Sequence, residues 1–420
     1  MAGRRTHIRI PVAGRYITPL GDEYASIEAL GGITLLLAAI VALAWANSPW
    51  TGAYSSFWGY DVTANLGRLS VADDLEHWVN DGLMAVFFFV VGLEVKRELT
   101  EGELTDRRAA SLPLCAAVGG MVAPALIFFA WNPSGATSRG WGVAMATDTA
   151  IALGVLALLG ARVPPGLKLF LLTLAVIDDI GAICVIAFFY SSNVELGWLG
   201  GAAATIAAIV LMRWLGVRFA LAYIAPALVL WLCFFQSGVH ATIAGVVLGL
   251  LTPVTDRRGR RVIDTLEHRL HPWTSFVVVP VFVLANAGIA LGSDALRTAA
   301  SSSITWGVAT GLVAGKTTGV VLASAACVGL GLSRLPDGSS FRQLVGVAMV
   351  AGIGFTVSLF IADRSFTSGA LDEAKIGILG GSLVAGMLGG GVLAAKTTKY
   401  AALRRRLMKE NFVHAKVRDR

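Results

Sequence analysis

Residues 169–190 read LFLLTLAVIDDIGAICVIAFFY, a run of 22 residues in which Asp178 and Asp179 carry the only charges. A helix of this length extends about 33 Å, which is enough to cross a hydrocarbon core of about 30 Å. A carboxylate at that depth costs about 2.5–3.5 kcal/mol on insertion scales, and the two neighbours also repel each other. The run therefore predicts a membrane helix whose paired acids bind protons or small cations. A purely structural polar pair is the alternative.

The composition of the whole chain agrees with a membrane environment. Its 420 residues are 55% hydrophobic and only 15% charged, and the mean hydropathy is +0.70. These values predict an all-α polytopic membrane protein and exclude a soluble enzyme. The net charge of +7 does not indicate nucleic-acid binding, because the basic residues are sorted by membrane side.

Hydropathy divides the chain into a cytoplasmic segment 1–27, a membrane domain 28–395 and a basic tail 396–420. The membrane domain contains twelve apolar spans, numbered 1 to 12 in chain order: 28–46, 78–95, 112–130, 141–159, 167–190, 199–215, 219–235, 237–252, 274–291, 304–331, 343–361 and 375–395. With a cytoplasmic N-terminus, few of the 34 Lys and Arg residues fall on the outer side, namely Arg68, Arg139, Arg297, Arg364 and Lys375. This bias predicts that both termini are cytoplasmic and that the number of spans is even.

Spans 4 and 11 each carry a weak point near the middle. Span 4 contains Thr147, Asp148 and Thr149, whose side-chain oxygens compete with the backbone for hydrogen bonds. Span 11 contains AGIGFT at 351–356. Two interrupted helices at corresponding places in two halves indicate a transporter binding site near the membrane midplane. The alternative is that the glycines serve helix packing only.

Lys316 lies deep in span 10, within GLVAGKTTGVVLAS. A buried ammonium either loses its proton or needs an anionic partner. We expect it to pair with an acid of the neighbouring spans, and the candidates are Asp178, Asp179 and Asp148. Snorkelling to the membrane surface is the alternative.

Further titratable residues lie near the ends of the spans. Asp81 lines an outer entrance or caps a helix N-terminus, and capping is favoured. His240 is interpreted as a hydrogen-bonded core histidine, with a position near a water path as the alternative. A group at the predicted cytoplasmic face either titrates between about pH 6 and 8 or is a solvated charge cluster. Its members are Glu94, Arg97, Glu98, Glu267, His268 and His271.

Seven motifs occur in order from span 2 to span 11: WVNDGLMAVFFFVVGLEVKREL, ATDTAIALG, AVIDDIG, SGVHATIAGV, LEHRLHPW, AGKTTG and AGIGFTVSLFIA. In this combination the chain resembles an NhaA-type sodium/proton antiporter, over about residues 25–395. The resemblance implies twelve helices, with spans 3–5 and 10–12 as inverted repeats and spans 4 and 11 crossing as broken helices.

The resemblance also implies roles for the site residues. Asp178 and Asp179 exchange ions and protons, Asp179 is the principal sodium ligand, and Thr147 adds an oxygen. Asp148 neutralises the helix ends at the crossing, and Lys316 pairs with Asp178. The cytoplasmic group named above, from Glu94 to His271, corresponds to a pH-sensing region.

The implied activity is electrogenic, pH-activated extrusion of Na⁺ or Li⁺ for about two protons, with the two aspartates titrating as a coupled unit. Such a protein serves sodium and pH homeostasis in the inner membrane of a bacterial cell and needs no cofactor. A hairpin in the outer loop 47–77 is expected to join two protomers. A sodium-coupled symporter of an organic solute is the alternative. An intramembrane aspartyl protease is disfavoured, because its acids stand on separate helices.

Overall fold

The computed structural model describes residues 20–66, 69–191, 194–217, 220–255 and 259–395, and 80% of it is helical. Its α-helices and strands follow one another in this order: α1 Leu20–Ala46, α2 Thr51–Trp58, β1 Asp61–Leu66, β2 Leu69–Asp74, α3 Leu75–Trp78, α4 Met84–Thr100, α5 Arg107–Trp131, α6 Thr149–Leu159, α7 Pro165–Phe189, α8 Leu196–Trp214, α9 Ile224–Gln236, α10 Ile243–Leu251, α11 Val262–Trp273, α12 Val279–Asn286, α13 Ser293–Ser301, α14 Ser303–Thr310, α15 Lys316–Gly329, α16 Phe341–Val350, α17 Phe355–Ser365 and α18 Ser368–Ala394. The predicted tail 396–420 and most of segment 1–27 lie outside the described residues.

Short π-helical and 3₁₀ segments connect several of these helices. Single π-helical turns link α3 to α4, α11 to α12 and α14 to α15, at Val79–Leu83, Thr274–Val278 and Gly311–Gly315. The 3₁₀ segments are Glu103–Thr105, Ala136–Met145, Gly160–Arg162 and Ala220–Tyr223. The π-helical turns leave the helix axis continuous, so α3 and α4 form one long element.

Seven helices of the described chain are long and apolar enough to cross a membrane: Leu75–Thr100, Arg107–Trp131, Ala136–Leu159, Pro165–Phe189, Leu196–Trp214, Ser303–Gly329 and Gly369–Ala394. Two further pairs meet the same criterion only when joined, Leu30–Ala46 with Thr51–Trp58 and Phe341–Val350 with Phe355–Ser365, and they bend by 115° and 47°. These helices make the chain a polytopic membrane protein.

The region of predicted spans 7 and 8 contains shorter helices than the hydropathy suggests. Only Ile243–Leu251 of span 8 is α-helical, and α9 is 13 residues long. Gly238 has a φ of 78° between α9 and α10. Glycine adopts this left-handed conformation without steric cost, so the chain turns there instead of continuing the helix.

The predicted outer loop 47–77 contains an antiparallel hairpin of β1 and β2, with Asp61 opposite Asp74 and Leu66 opposite Leu69. The indole of Trp78 donates a hydrogen bond of 2.9 Å to the Val62 carbonyl oxygen and ties the hairpin to the start of the next membrane element. The expected hairpin is therefore present, and its role in dimer formation stays a prediction.

The two predicted weak points are breaks in the helices. Residues 146–148 are non-helical and separate the 3₁₀ segment Ala136–Met145 from α6, while 351–354 separate α16 from α17. The breaks touch each other, because the Asp148 backbone N–H donates to the Ile353 carbonyl oxygen at 2.6 Å. Backbone groups freed by the loss of helix thus find partners inside the protein.

Helices α5 and α15 approach each other closely through two glycines. A Cβ on Gly119 would lie 2.4 Å from the Gly319 carbonyl oxygen, and a Cβ on Gly319 would lie 2.1 Å from that of Gly119. Only glycine permits this distance between helix backbones. The contact places Lys316, one turn before Gly319, against α5 near Gly120.

Candidate ion-binding site

The paired acids lie in the middle of α7 and are both buried. Asp178 and Asp179 are 1% and 9% exposed. Helix α7 begins with Pro165 at its first turn, a position where proline costs no hydrogen bond, and it remains uninterrupted through both acids. Burial of two neighbouring carboxylates inside an apolar helix requires a proton or a cation for charge balance.

Lys316 provides one such cation. Its Nζ lies 2.6 Å from Asp178 Oδ2 and 2.5 Å from the Met145 carbonyl oxygen, and both charged side chains are fully enclosed. The expected ion pair is therefore present, and of the three candidate acids Asp178 is the partner. Asp178 Oδ1 is buried without a hydrogen-bond partner among the described residues.

Thr147 connects the acid of α7 to both broken helices. Its Oγ1 lies 2.8 Å from Asp178 Oδ2 and 2.8 Å from the Ala351 carbonyl oxygen. Thr147 is fully buried. The hydroxyl is thus engaged with the protein on two sides in this conformation.

Asp148 caps the helices that follow both breaks. Its Oδ1 accepts a 3.0 Å hydrogen bond from the Ile151 N–H of α6. Its Oδ2 accepts bonds of 3.0 and 2.7 Å from the N–H and hydroxyl of Thr356 in α17. The negative charge faces the partial positive charge at two helix N-termini, which is favourable.

A cavity of about 120 Å³ lies beside these residues. Its lining contains Asp148, Thr149, Asp179 and Thr356 and also the predicted cytoplasmic residues Glu94, Arg97, Glu267 and His271. Thr147, Asp178 and Lys316 are not among the described lining residues. Of the two adjacent acids, Asp179 is therefore the one that the cavity reaches.

The cytoplasmic group is divided between the interior and the surface. Arg97 forms an ion pair with Glu267, which is 1% exposed, whereas His268 is exposed. Burial raises the pKa of Glu267, and the Arg97 guanidinium opposes that change. Burial lowers the pKa of His271, and the charges of Arg97 and His268 add to the effect. Glu98 is buried and accepts a 3.0 Å hydrogen bond from the Glu103 N–H.

The interpretation of Asp81 as a helix cap is wrong. The cap is Asp74, which accepts the His77 N–H at 2.8 Å, so the helix begins more than one turn before Asp81. Asp81 instead lies in a π-helical turn, with Oδ1 2.5 Å from Arg364 Nη2. The Asp74 cap starts the helix at Leu75, before the apolar run begins, and apolarity alone does not reveal this.

His240 is half-buried, and its Nε2 lies 3.1 Å from the Tyr190 carbonyl oxygen. This contact agrees with a hydrogen-bonded histidine, and His240 is not among the described residues that line the cavity.

Three residues that take part in the cavity lining or in the contacts described above were not predicted as site residues: Thr149, Thr356 and Arg364. Thr356 is the last residue of the AGIGFT motif in span 11, so the predicted helix break could have identified it as a site residue. Arg364 follows the apolar run of that span and packs over the Phe360 ring at 5.4 Å, and nothing in the local sequence identifies Asp81 as its partner.

The chain is similar to known proteins over the region that contains these residues. Residues 22–393 match the family model described as Na⁺/H⁺ antiporter 1. The Na⁺/H⁺ antiporter NhaA 3 of Frankia alni is 47% identical over 92% of this chain and 90% of its own length. The Na⁺/H⁺ antiporters NhaA of Serratia proteamaculans and Yersinia pseudotuberculosis are 47% and 48% identical, over 90% and 89% of this chain and 98% and 95% of their own.

Proposed function

Since this chain belongs to the Na⁺/H⁺ antiporter 1 family, it exchanges sodium ions for protons across a membrane, and we propose that the exchange takes place at Asp178 and Asp179. The observation that carries the proposal is the fully buried ion pair of Asp178 and Lys316, next to an acid that lines a cavity. The chain acts as a secondary transporter and not as an enzyme.

Competition for the buried carboxylates provides the coupling. A carboxylate in a poorly solvated site is costly unless a proton or a cation neutralises it. Sodium is a hard cation that favours carboxylate, hydroxyl and carbonyl oxygens. An ion that enters the cavity meets Asp179 first and displaces its proton. The same carboxylate then accepts a proton on the other side of the membrane after the ion has left.

Lys316 supplies the second proton in this scheme. When sodium draws the Asp178 carboxylate into its coordination, the ammonium loses its buried partner and releases a proton. Asp179 and Lys316 then carry two protons for one sodium ion, which makes the exchange electrogenic. The membrane potential drives sodium out under these conditions. No cofactor takes part in this cycle, and Li⁺ follows the same route as Na⁺.

The architecture that we propose for this cycle has twelve spans in two inverted repeats, with spans 4 and 11 crossing at the midplane. The contacts of Asp148 with α6 and α17 support it, because one carboxylate stabilises both helix N-termini. The positive-inside bias supports cytoplasmic termini in a bacterial inner membrane. The β1–β2 hairpin is the proposed contact with a second protomer.

We also propose that the cytoplasmic group regulates the exchange by pH. Glu94, Arg97, Glu267 and His271 line the same cavity as Asp179, so their charges act along the route of the ion. Glu98 and the exposed His268 lie next to Arg97 and Glu267 in the sequence and belong to the same proposed group. Asp81 belongs to the outer side, where it pairs with Arg364.

The cavity volume argues against the symporter alternative. Pockets for organic ligands of drug size occupy about 300–1,000 Å³. The cavity next to Asp179 has about 120 Å³, which suits an ion with a few water molecules.

The decisive experiment uses everted membrane vesicles that contain the whole protein and a fluorescent reporter of internal pH. We expect sodium addition to collapse the imposed pH gradient in the wild type and in Asp294→Asn, an exposed acid of α13 that serves as a matched control. Asp179→Asn should abolish the response. Full activity of Asp179→Asn would rule out the proposed site. Repetition at fixed membrane potential, with Na⁺, Li⁺ and K⁺, determines the charge moved in each cycle and the ion preference.

A further inference from the structure

Thr149, the first residue of α6, has a hydroxyl that the protein does not satisfy. Its Oγ1 is buried and has no hydrogen-bond partner in the part of the chain that the structure describes. Other helical threonines donate to the carbonyl oxygen four residues earlier, as Thr205, Thr317 and Thr318 do at 2.8, 2.6 and 2.7 Å. A buried hydroxyl without a partner costs about 1–3 kcal/mol, so its presence needs a reason.

The helix break explains why Thr149 lacks the usual partner. The residue four positions earlier is Met145, and residues 146–148 between them are not helical. The Met145 carbonyl oxygen instead accepts the hydrogen bond from Lys316 Nζ. The neighbouring carboxylate is also engaged, since Asp148 accepts bonds from Ile151 and Thr356.

Thr149 lines the cavity together with Asp179, whereas Thr147 does not. The Thr147 hydroxyl is engaged with Asp178 and with the Ala351 carbonyl oxygen. Thr149 Oγ1 is enclosed in this conformation. Threonine in a helix divides between two side-chain rotamers, so a rotation about the Cα–Cβ bond brings the hydroxyl to the cavity.

Among the described hydroxyls that line the cavity, those of Thr274 and Ser275 contact His271 and that of Thr356 donates to Asp148. The Thr149 hydroxyl makes no hydrogen bond in the described chain, so it can turn toward an occupant of the cavity.

We propose that Thr149 Oγ1 is a ligand of the transported sodium ion, beside the carboxylate of Asp179. This inference rests on the proposed function, which places the ion at Asp179. A hard cation accepts hydroxyl oxygen readily, and the hydroxyl needs no proton loss to coordinate it. Because its oxygen makes no bond within the described protein, Thr149 binds the ion without breaking an existing hydrogen bond.

The test measures Na⁺ affinity in two ways, as the sodium concentration for half-maximal exchange in vesicles and as direct Na⁺ binding to the purified protein. Thr149→Val keeps the shape of the side chain and removes the oxygen. We expect its Na⁺ affinity to fall about tenfold, which is about 1.4 kcal/mol. The rate at saturating sodium should stay near that of the wild type. Thr149→Ser should bind within about twofold of the wild type.

Thr205→Val is the matched control, because it removes a hydroxyl of α8 that bonds the Gly201 carbonyl oxygen and contacts the Cys233 thiol of α9, and Thr205 does not line the cavity. We expect unchanged Na⁺ affinity for this variant. If Thr149→Val does not fold, Thr149→Ala and Thr149→Ser form a second pair that differs by one oxygen atom, and only the serine should retain affinity.

Two outcomes separate this inference from the proposed function. Wild-type Na⁺ affinity in Thr149→Val, together with loss of binding in Asp179→Asn, would overturn the role of Thr149 and leave the site intact. Unchanged binding in Asp179→Asn would remove the site itself and the inference with it.

Discussion

The carboxylate of Asp148 accepts hydrogen bonds from both the N–H and the hydroxyl of Thr356, which stands 208 residues later in the chain. Asp148 ends the break before α6, and Thr356 lies in the first turn of α17 after the second break. One acid thus holds together the two interrupted helices beside Asp179. The predictions below test this contact and the ion pairs around it.

Loss of the Asp148 carboxylate should destabilise the crossing region. Asp148→Ala leaves the N–H groups of Ile151 and Thr356 without their acceptor, and hydrogen bonds to charged groups contribute about 1.5–3 kcal/mol each. We expect a lower midpoint of thermal unfolding in detergent and weak exchange, with partial recovery in Asp148→Asn, which still caps a helix. Ser340→Ala removes the cap of α16, away from the cavity, and serves as the control. An Asp148→Ala protein no less stable than Ser340→Ala would contradict the prediction.

Removal of the Lys316 ammonium should leave Asp178 as a buried charge without its cation. Lys316→Met is expected to lose about 3–5 kcal/mol of stability at neutral pH. The loss should shrink in acid, because a protonated Asp178 needs no counterion. The double variant Asp178→Asn with Lys316→Met should recover most of the stability, since both charges are then absent. Thermal unfolding of the three proteins across pH checks this, and a double variant no more stable than Lys316→Met would refute it.

The Asp81–Arg364 ion pair should stabilise the predicted outer side of the protein. Both side chains are nearly buried, at 11% and 12% exposure, so Arg364→Gln leaves Asp81 poorly solvated and unpaired. We expect a loss of about 3 kcal/mol. Asp81→Arg combined with Arg364→Asp restores opposite charges and should be more stable than either single reversal. Additive losses in the double variant would show that the two residues are not coupled.

His271 should make the folded protein less stable in mild acid. Its pKa in the folded state lies below the ordinary value of 6.5, because of burial first and the charges of Arg97 and His268 next. The unfolded chain therefore binds the proton before the folded one does. Stability from this residue is present above pH 6.5 and is lost as the pH falls through the window between 6.5 and the lowered folded value.

Thermal unfolding of wild type and His271→Gln between pH 5 and 8 measures this difference. The variant should lose less stability than the wild type as the solution becomes acidic. His268→Gln, on the same helix but exposed, controls for the loss of a histidine as such. Identical pH dependence of the His271→Gln and wild-type proteins would disprove the assignment.

Helix α7 and the start of α6 show where local sequence is a sufficient guide. The run at 169–190 is helical because no residue in it breaks a helix, and Asp148 caps α6 because an acid before an apolar run binds the first N–H groups. The short helices between 219 and 252 show the limit, since apolarity predicts burial or lipid contact equally well and does not determine length.

What the sequence by itself determined is therefore local: apolar runs long enough for membrane helices, two adjacent acids and one lysine within them, and two weak points. The residue pattern alone left three candidate acids for Lys316, and the structure pairs it with Asp178. Only the tertiary structure decided that Arg364 pairs with Asp81, and that Asp179 and Thr149 line the cavity while Thr147 does not. Hydropathy and helix breaking depend on neighbours along the chain. Pairing depends on which helices approach, and that is decided by contacts such as Gly119 against Gly319, which lie far apart in sequence.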